Sequence, residues 1–414
     1  MKNLIYDLKK IPINVWFMIF VYFSISLAKF MVLPFIALFF LRSYSLTSTE
    51  IGILLGASPL AALCFGFFGG IIADRLGVKV TLIFSLIVTG LCYIAFALVD
   101  VYTFLILISL VTGVTWNLQN VSIDSYISSI TPSEQITKVF GYKYWALNLG
   151  GALGPLLGAY LGSGRSSFPL FILSIILIII AIWIKLLNFK EIEEFEKNDM
   201  SNETKKKMNL KDIFHTLIHD KALILLSVAT VCAFMIESQI NANMIQFLEN
   251  SFPNGVQLLA ELLFISTITI VILQPLITHV SDKLKSQTVL FVGSVLYLCG
   301  PLIFLFATQR WEWYIAMMTL SIGEMILVPR EQALLSKIAK SEMRSTYFSI
   351  GSISSNLGFT LGPVVGGVLL DLFSGKGLFA FMFSMALIYG SLLFIVNKFG
   401  LMNSSREKSK TTSV

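Results

Sequence analysis

The 414-residue sequence is poor in charge: Asp, Glu, Lys and Arg make up only 13% of it, about half the share found in an average soluble domain. With 56% hydrophobic residues and a mean hydropathy of +0.81, the chain lacks the polar surface a soluble fold needs, so lipid must be its main solvent. Cysteine is scarce too. All four, Cys64, Cys92, Cys232 and Cys299, fall inside apolar runs and offer no disulfide or zinc spacing, which removes redox chemistry and structural zinc. Of the three histidines, His215 and His219 have the i, i+4 spacing of a metal pair but no third ligand, and read as a solvated face; His279 belongs to a loop near Asp282. No Gly-x-x-x-x-Gly-Lys-Ser/Thr occurs, so ATP is not the expected energy source. Neither catalytic residues, nor an organic cofactor, nor a metal is expected. A cleavable signal peptide is missing as well: the amphipathic start, Met1 to Pro12, runs straight into an apolar stretch too long for a signal h-region, so that stretch is expected to remain as a first span.

What the sequence does contain is length in its apolar runs. Residues 14–41, 51–73, 78–98, 104–130, 139–162 and 168–187 are each long enough to cross a bilayer, and so are 222–248, 257–280, 289–307, 313–335, 347–370 and 377–396, since a hydrocarbon core needs about 20 residues. The expectation is an all-α membrane protein of twelve transmembrane helices: a six-helix bundle over 1–187, a cytoplasmic linker over 188–220, a second bundle over 221–398 and a tail over 399–414. The linker holds Lys205, Lys206 and Lys207, and 209–219 has helical spacing of Leu210, Ile213, Phe214 and Leu217. Four of the 30 Lys and Arg (Arg42, Arg165, Arg310, Lys376) lie opposite the N-terminus, Lys29 is mid-span, and 25 lie on the N-terminal side. The positive-inside rule then puts both termini in the cytoplasm. That asymmetry also accounts for a pI of 9.0: the basic excess faces anionic inner-leaflet lipid, and nucleic acid is not needed as a partner. The expected partners are lipid, protons and a small molecule, with the chain working as a monomer in a bacterial cytoplasmic membrane.

The two sets of six are copies. Asn148-Leu-Gly-Gly-Ala-Leu-Gly-Pro-Leu-Leu-Gly158 recurs as Asn356-Leu-Gly-Phe-Thr-Leu-Gly-Pro-Val-Val-Gly366, with seven of eleven positions identical at an offset of 208. Ser133-Glu134 matches Ser341-Glu342, and Asp74-Arg75-Leu76 matches Asp282-Lys283-Leu284, at the same offset of 208. An even number of spans per copy gives both halves one orientation, with a pseudo-twofold along the membrane normal, the arrangement of transporters that rock about a midplane site.

The stretch Gly69-Gly-Ile-Ile-Ala-Asp74-Arg75-Leu-Gly-Val-Lys79 resembles the loop motif of the major facilitator superfamily, Gly-x-x-x-Asp-Arg-x-Gly-Arg-Lys. The resemblance implies the twelve-helix fold with two pseudo-symmetric bundles, and a gating role for Asp74 and Arg75, with Asp282 and Lys283 as their counterparts. In that family the aspartate lies against a helix N-terminus, which favours a carboxylate. Val78 stands where the motif has Arg, and Ser129 where relatives often carry an aspartate, so the extended charge relay is not implied. In the fifth span Gly150, Gly154, Gly158 and Gly162 recur every four residues and form one stripe on which another backbone can close in. Pro155 deprives the Gly151 carbonyl of its usual donor. This stripe resembles the fifth-helix motif of the drug:proton antiporters of that superfamily and implies export. Close packing alone is the other explanation, since Gly358, Gly362 with Pro363, and Gly366 repeat the stripe in the eleventh span.

Ionisable residues at membrane depth point to function because each costs at least about 2.5 kcal/mol at midplane. Lys29 in the first span and Glu237 in the seventh are 208 apart, equal in depth and opposite in charge. If the two spans face one another, they can pair in one state and part in another; a purely structural pair is the alternative. Glu324 lies mid-span in Gly323-Glu-Met-Ile-Leu-Val-Pro329, which, with Tyr144-Trp-Ala-Leu-Asn148, resembles the proton-driven multidrug exporters of lactic-acid bacteria and implies proton or substrate handling. Lys143 stands where those exporters have an acid, which alters the expected substrate charge. Asp124 serves either the cavity mouth or a contact with water, and Arg330 with Glu331 are expected to pair structurally near the cytoplasmic side. Phe30, Phe35, Tyr22, Trp116, Trp145 and Phe234 are candidate pocket aromatics. The expected function is proton-coupled efflux of small lipophilic or amphipathic compounds by alternating access. The alternatives are a proton-coupled importer of peptides or similar nutrients, an exporter of one metabolite or lipid, and a non-transporting scaffold or sensor, which leaves the matched buried charges unexplained.

Overall fold

The structure is a computed structural model in which residues 11–44, 46–131, 135–162, 166–186, 220–339 and 344–411 are described. Almost all of them are helical, and no strand occurs among them. The chain divides into two compact units, one of Met1–Leu46 with Ile53–Lys205, the other of Thr47–Gly52 with Lys206–Val414. Most of the linker, with its basic run and both of its histidines, lies outside the described residues.

The first unit holds α1 (Ile13–Val32), α2 (Ile36–Tyr44), most of α3 (Ser48–Leu76), α4 (Val78–Leu98), α5 (Tyr102–Ile130), α6 (Ile136–Tyr160) and α7 (Phe168–Leu186). The first span is α1 and α2 together, joined by a 3-10 turn over Leu33–Phe35. Pro34 is the cause: it has no N–H to give the Phe30 carbonyl four residues back, and the helix tightens there. α6 runs through Pro155 without a break. Its glycines are pressed against α1. A Cβ on Gly154 would stand 2.9 Å from the Leu27 carbonyl oxygen, and one on Gly158 would collide with that of Met31.

The second unit holds α8 (Lys221–Ala242), α9 (Met244–Ser251), α10 (Gly255–Lys283), α11 (Ser286–Phe306), α12 (Arg310–Ile338) and the long run α13 (Arg344–Thr411). Ser374 adopts a left-handed conformation (φ 58°) and divides α13 into the eleventh and twelfth spans. The two halves therefore supply the twelve helices expected. The seventh span is interrupted too, between α8 and α9 at the buried Asn243 (φ −102°). No proline acts there. Asn243 Nδ2 donates to Gln239 Oε1 (2.7 Å) and to the Pro363 carbonyl (3.2 Å), while Gln239 Nε2 donates to the Gly362 carbonyl (2.8 Å). Side-chain amides thus stitch the weak point of α8 to α13. The glycine stripe of α13 packs on α8 as that of α6 packs on α1: a Cβ on Gly358 would meet the Val231 carbonyl oxygen at 2.7 Å.

Nine helical stretches among the described residues are long and apolar enough to cross a membrane, one of them covering both the eleventh and twelfth spans. The two expected spans that fall short are α6 and α12. α6 carries Lys143, Asn148 and the glycine stripe, and α12 carries Glu324, Arg330 and Glu331. Polar residues that serve a site or a close contact lower the hydropathy of the helices that hold them.

Candidate functional site

Each unit encloses its own set of charged groups, and the sets are related by the repeat. In the first unit the Lys29 ammonium sits over the Trp116 ring, 4.5 Å from its centroid, at the distance of a cation–π contact. Trp116 belongs to α5, so this contact ties α1 to α5. In the second unit the residues 208 positions further on are Glu237 and Glu324, and they too come together: both are half-buried, and each lies within electrostatic reach of the other. The same pair of helix positions holds a cation on a ring in one copy and two carboxyls in the other. Lys29 and Glu237 also sit shortly before the interruptions of their spans, between one and two turns from Pro34 and Asn243 respectively. Broken backbone at membrane depth is tolerated where it is buried in protein or lines a cavity, and such breaks accompany binding sites in transporters.

Nearer the far end of α5, Asp124 pairs with Lys143 of α6, whose ammonium also stands 4.3 Å from the centroid of Tyr22. Sequence reasoning treats these two residues separately. Nineteen positions apart on different helices, they share no linear spacing, and only the packing of α5, α6 and α1 unites them. The Asp124 side chain keeps 41% of its surface exposed against 11% for Lys143, so the acid is the open member of the pair.

Tyr22 has Thr230 as its repeat mate, and that position again belongs to an ionisable cluster. Thr230 Oγ1 donates to Glu331 Oε1 (2.5 Å), and Tyr389 Oη donates to Glu331 Oε2 (2.7 Å). The carboxyl is 5% exposed and joins α8, α12 and the twelfth span. Arg330 turns elsewhere and donates to the Ser281 carbonyl (2.8 Å). The expected Arg330–Glu331 pair is thus replaced by bonds to three other helices, because consecutive residues point about 100° apart on a helix. Tyr297 lies in the field of Glu237, Glu324 and Glu331 and stacks edge-on to Tyr389 at 5.6 Å. Thr230, Tyr297 and Tyr389 went unnoticed in the sequence because hydroxyls are common in apolar spans; only their contacts single them out.

Of the aromatics expected around a pocket, Trp116 and Tyr22 carry the ammonium groups and Phe30 fills the space beside Gly151 and Gly154. Phe234 packs edge-on to Phe359 at 5.1 Å. Phe35 is fully buried and Trp145 is 58% exposed. Arg75 and Lys283 are exposed in the last turns of α3 and α10, where cations suit the negative end of a helix. The side chains of Asp74, His279 and Asp282 lie outside those described.

A sequence profile of the Major Facilitator Superfamily matches residues 18–252 and again 226–414, one match for each half. An MFS-type transporter of Bacillus subtilis, YqjV, is 26% identical over 360 residues, covering 86% of each chain. Multidrug resistance protein 2 of the same organism is 25% identical over 344 residues, 80% of this chain and 83% of its own. Among solved structures, the nucleoside transporter NupG superposes with a TM-score of 0.76 at 13% identity over 92% of this chain and 98% of its own; at that identity the likeness shows the fold alone. The repeated halves, the broken first helix of each and the profile that matches twice agree: this chain belongs to the major facilitator superfamily and is a multi-pass transporter of the cytoplasmic membrane.

Proposed function

We propose that the protein is a secondary active transporter that exports small lipophilic or amphipathic compounds in exchange for protons. The observation that carries this reading is that Glu237 and Glu324 lie at membrane depth in the second unit within electrostatic reach of one another. Two carboxylates within electrostatic reach of one another at membrane depth repel one another, and each carries a desolvation penalty. A proton held by the pair removes the repulsion and the desolvation penalty of one of the two carboxylates, and its release to the other side of the membrane restores the charge. An ion-driven cycle needs a site with those two states. The relative named Multidrug resistance protein 2 and the glycine stripe of α6 favour export over import.

The test is transport in proteoliposomes with an imposed pH gradient. Vesicles with an acidic lumen are expected to accumulate dyes such as ethidium or rhodamine 123 above protein-free controls. Glu237→Gln and Glu324→Gln are each expected to abolish gradient-driven accumulation while leaving substrate exchange at equal pH in place. If both variants still concentrate dye as the wild type does, the acids are not the coupling site. If substrate uptake instead follows inward proton flow, the protein is an importer.

A further inference from the structure

The first unit contains more buried positive charge than negative. Among its described residues only three side chains at membrane depth carry a full charge: Lys29, Lys143 and Asp124. Asp124 is committed to Lys143. Among the described residues Lys29 faces the Trp116 ring and no carboxylate of its own unit. Nor does it reach water along the helix. It stands 16 residues from one end of the 32-residue stretch Ile13–Tyr44 and 15 from the other, roughly 22–24 Å each way, several times what a lysine side chain can span. An ammonium kept at such a depth on an aromatic face, beside a proline break in its own helix, is poised to receive an anion. The ring stabilises the cation without consuming its N–H donors, so these remain available to oxygen acceptors.

We propose that Lys29, seated on Trp116, is the anion-recognition group of the substrate site, and that the preferred substrates are amphiphiles bearing a carboxylate or a similar oxyanion. This rests on the transport reading above and adds the charge of the cargo. Trp116 offers its face to the cation and, beyond it, to an apolar ring on the substrate. Lys143 does not compete for the same role, because Asp124 already satisfies it.

A matched pair of dyes separates the charge from everything else: rhodamine 110, which carries a free carboxylate, and rhodamine 123, its methyl ester. Fluorescence anisotropy with purified full-length protein in detergent reads binding independently of any coupling. The wild type is expected to bind the acid about tenfold more tightly than the ester. Lys29→Gln is expected to erase that preference by weakening the acid alone, and Lys29→Arg to keep most of it. Equal binding of the two dyes by the wild type, binding of neither, or a Lys29→Gln variant that loses acid and ester alike overturns the proposal. Transport of the same dyes in proteoliposomes then distinguishes the two readings. Acid-selective binding without gradient-driven movement refutes proton-coupled export and leaves the recognition role standing, whereas movement of both dyes at equal affinity does the reverse.

Discussion

At the scale of single residues, the chemistry of this chain lies in a few ionisable side chains and in what each one touches. Glu331 is the most tightly held: two hydroxyl donors from two helices converge on its buried carboxyl. Glu331→Ala would leave the Tyr389 hydroxyl without its acceptor, while Thr230 keeps the Leu226 carbonyl (3.0 Å), and an orphaned buried hydroxyl costs about 1–3 kcal/mol. A fall in the thermal unfolding midpoint in detergent is expected, and it should be larger than that of Thr230→Val, which removes one of the two donors and leaves the other bonded. Lys29, Glu237 and Glu324 were legible from the sequence because a charge in an apolar run stands out, and the offset of 208 supplied their equivalence. The Lys143–Asp124 pair was not legible. Its repeat mates are Gly351 and Gln332, so the second copy keeps no trace of it, and nothing in one dimension brings α5 to α6.

At the scale of helices, the ends and the breaks do most to distinguish one element from another. Asp220 caps α8, its Oδ1 accepting from the N–H groups of Ala222 and Leu223 (both 3.1 Å), while Oδ2 accepts from the Tyr347 hydroxyl (2.6 Å). Asp220→Ala is expected to lower stability by about 1–2 kcal/mol, read as a drop in unfolding temperature. α12 begins with a capping box in which Glu312 accepts from the N–H groups of Gln309 (2.8 Å) and Thr308 (2.6 Å). Those bonds hold the Glu312 carboxyl below its ordinary value of 4.5, so its contribution is present above that value and is lost as the pH falls through the lower, folded one. The stability gap between wild type and Glu312→Gln should therefore narrow as the pH is taken from 7 to below 4.5. Pro34 marks the break between α1 and α2. Pro34→Ala restores a donor to the Phe30 carbonyl and is expected to join the two helices, raising the unfolding temperature while slowing turnover in a transport assay. The break beside Asn243 had no such marker: amides bonding across to α13 create it, and a side-chain network has no signature in hydropathy. The spans themselves were plain, because about 20 apolar residues in a row have few other uses, but α6 and α12 were recognisable only through the repeat.

At the scale of the whole molecule, duplication explains why so much of the architecture could be read from one sequence. Each half has its own core, and apart from Thr47–Gly52, which joins the second unit, the chain divides between Lys205 and Lys206, in the polar stretch of the sequence between the two sets of spans. Residues 1–205 and 206–414 expressed together as separate chains are accordingly expected to regain transport, since helices inserted independently can associate afterwards; growth protection or dye efflux in cells carrying both pieces measures it. What the duplication could not supply is divergence in charge, with a cation on a ring in one copy and paired carboxyls in the other. The depth of Lys29 gives that divergence an electrical meaning. A substrate anion docked halfway along a span crosses about half of the membrane voltage on the way in from either side, and a full crossing is worth about 2.3 kcal/mol per charge at 100 mV. With the cell interior negative, the voltage draws the anion from the cytoplasm towards Lys29 and opposes its approach from outside, so capture is biased outward before any proton is spent.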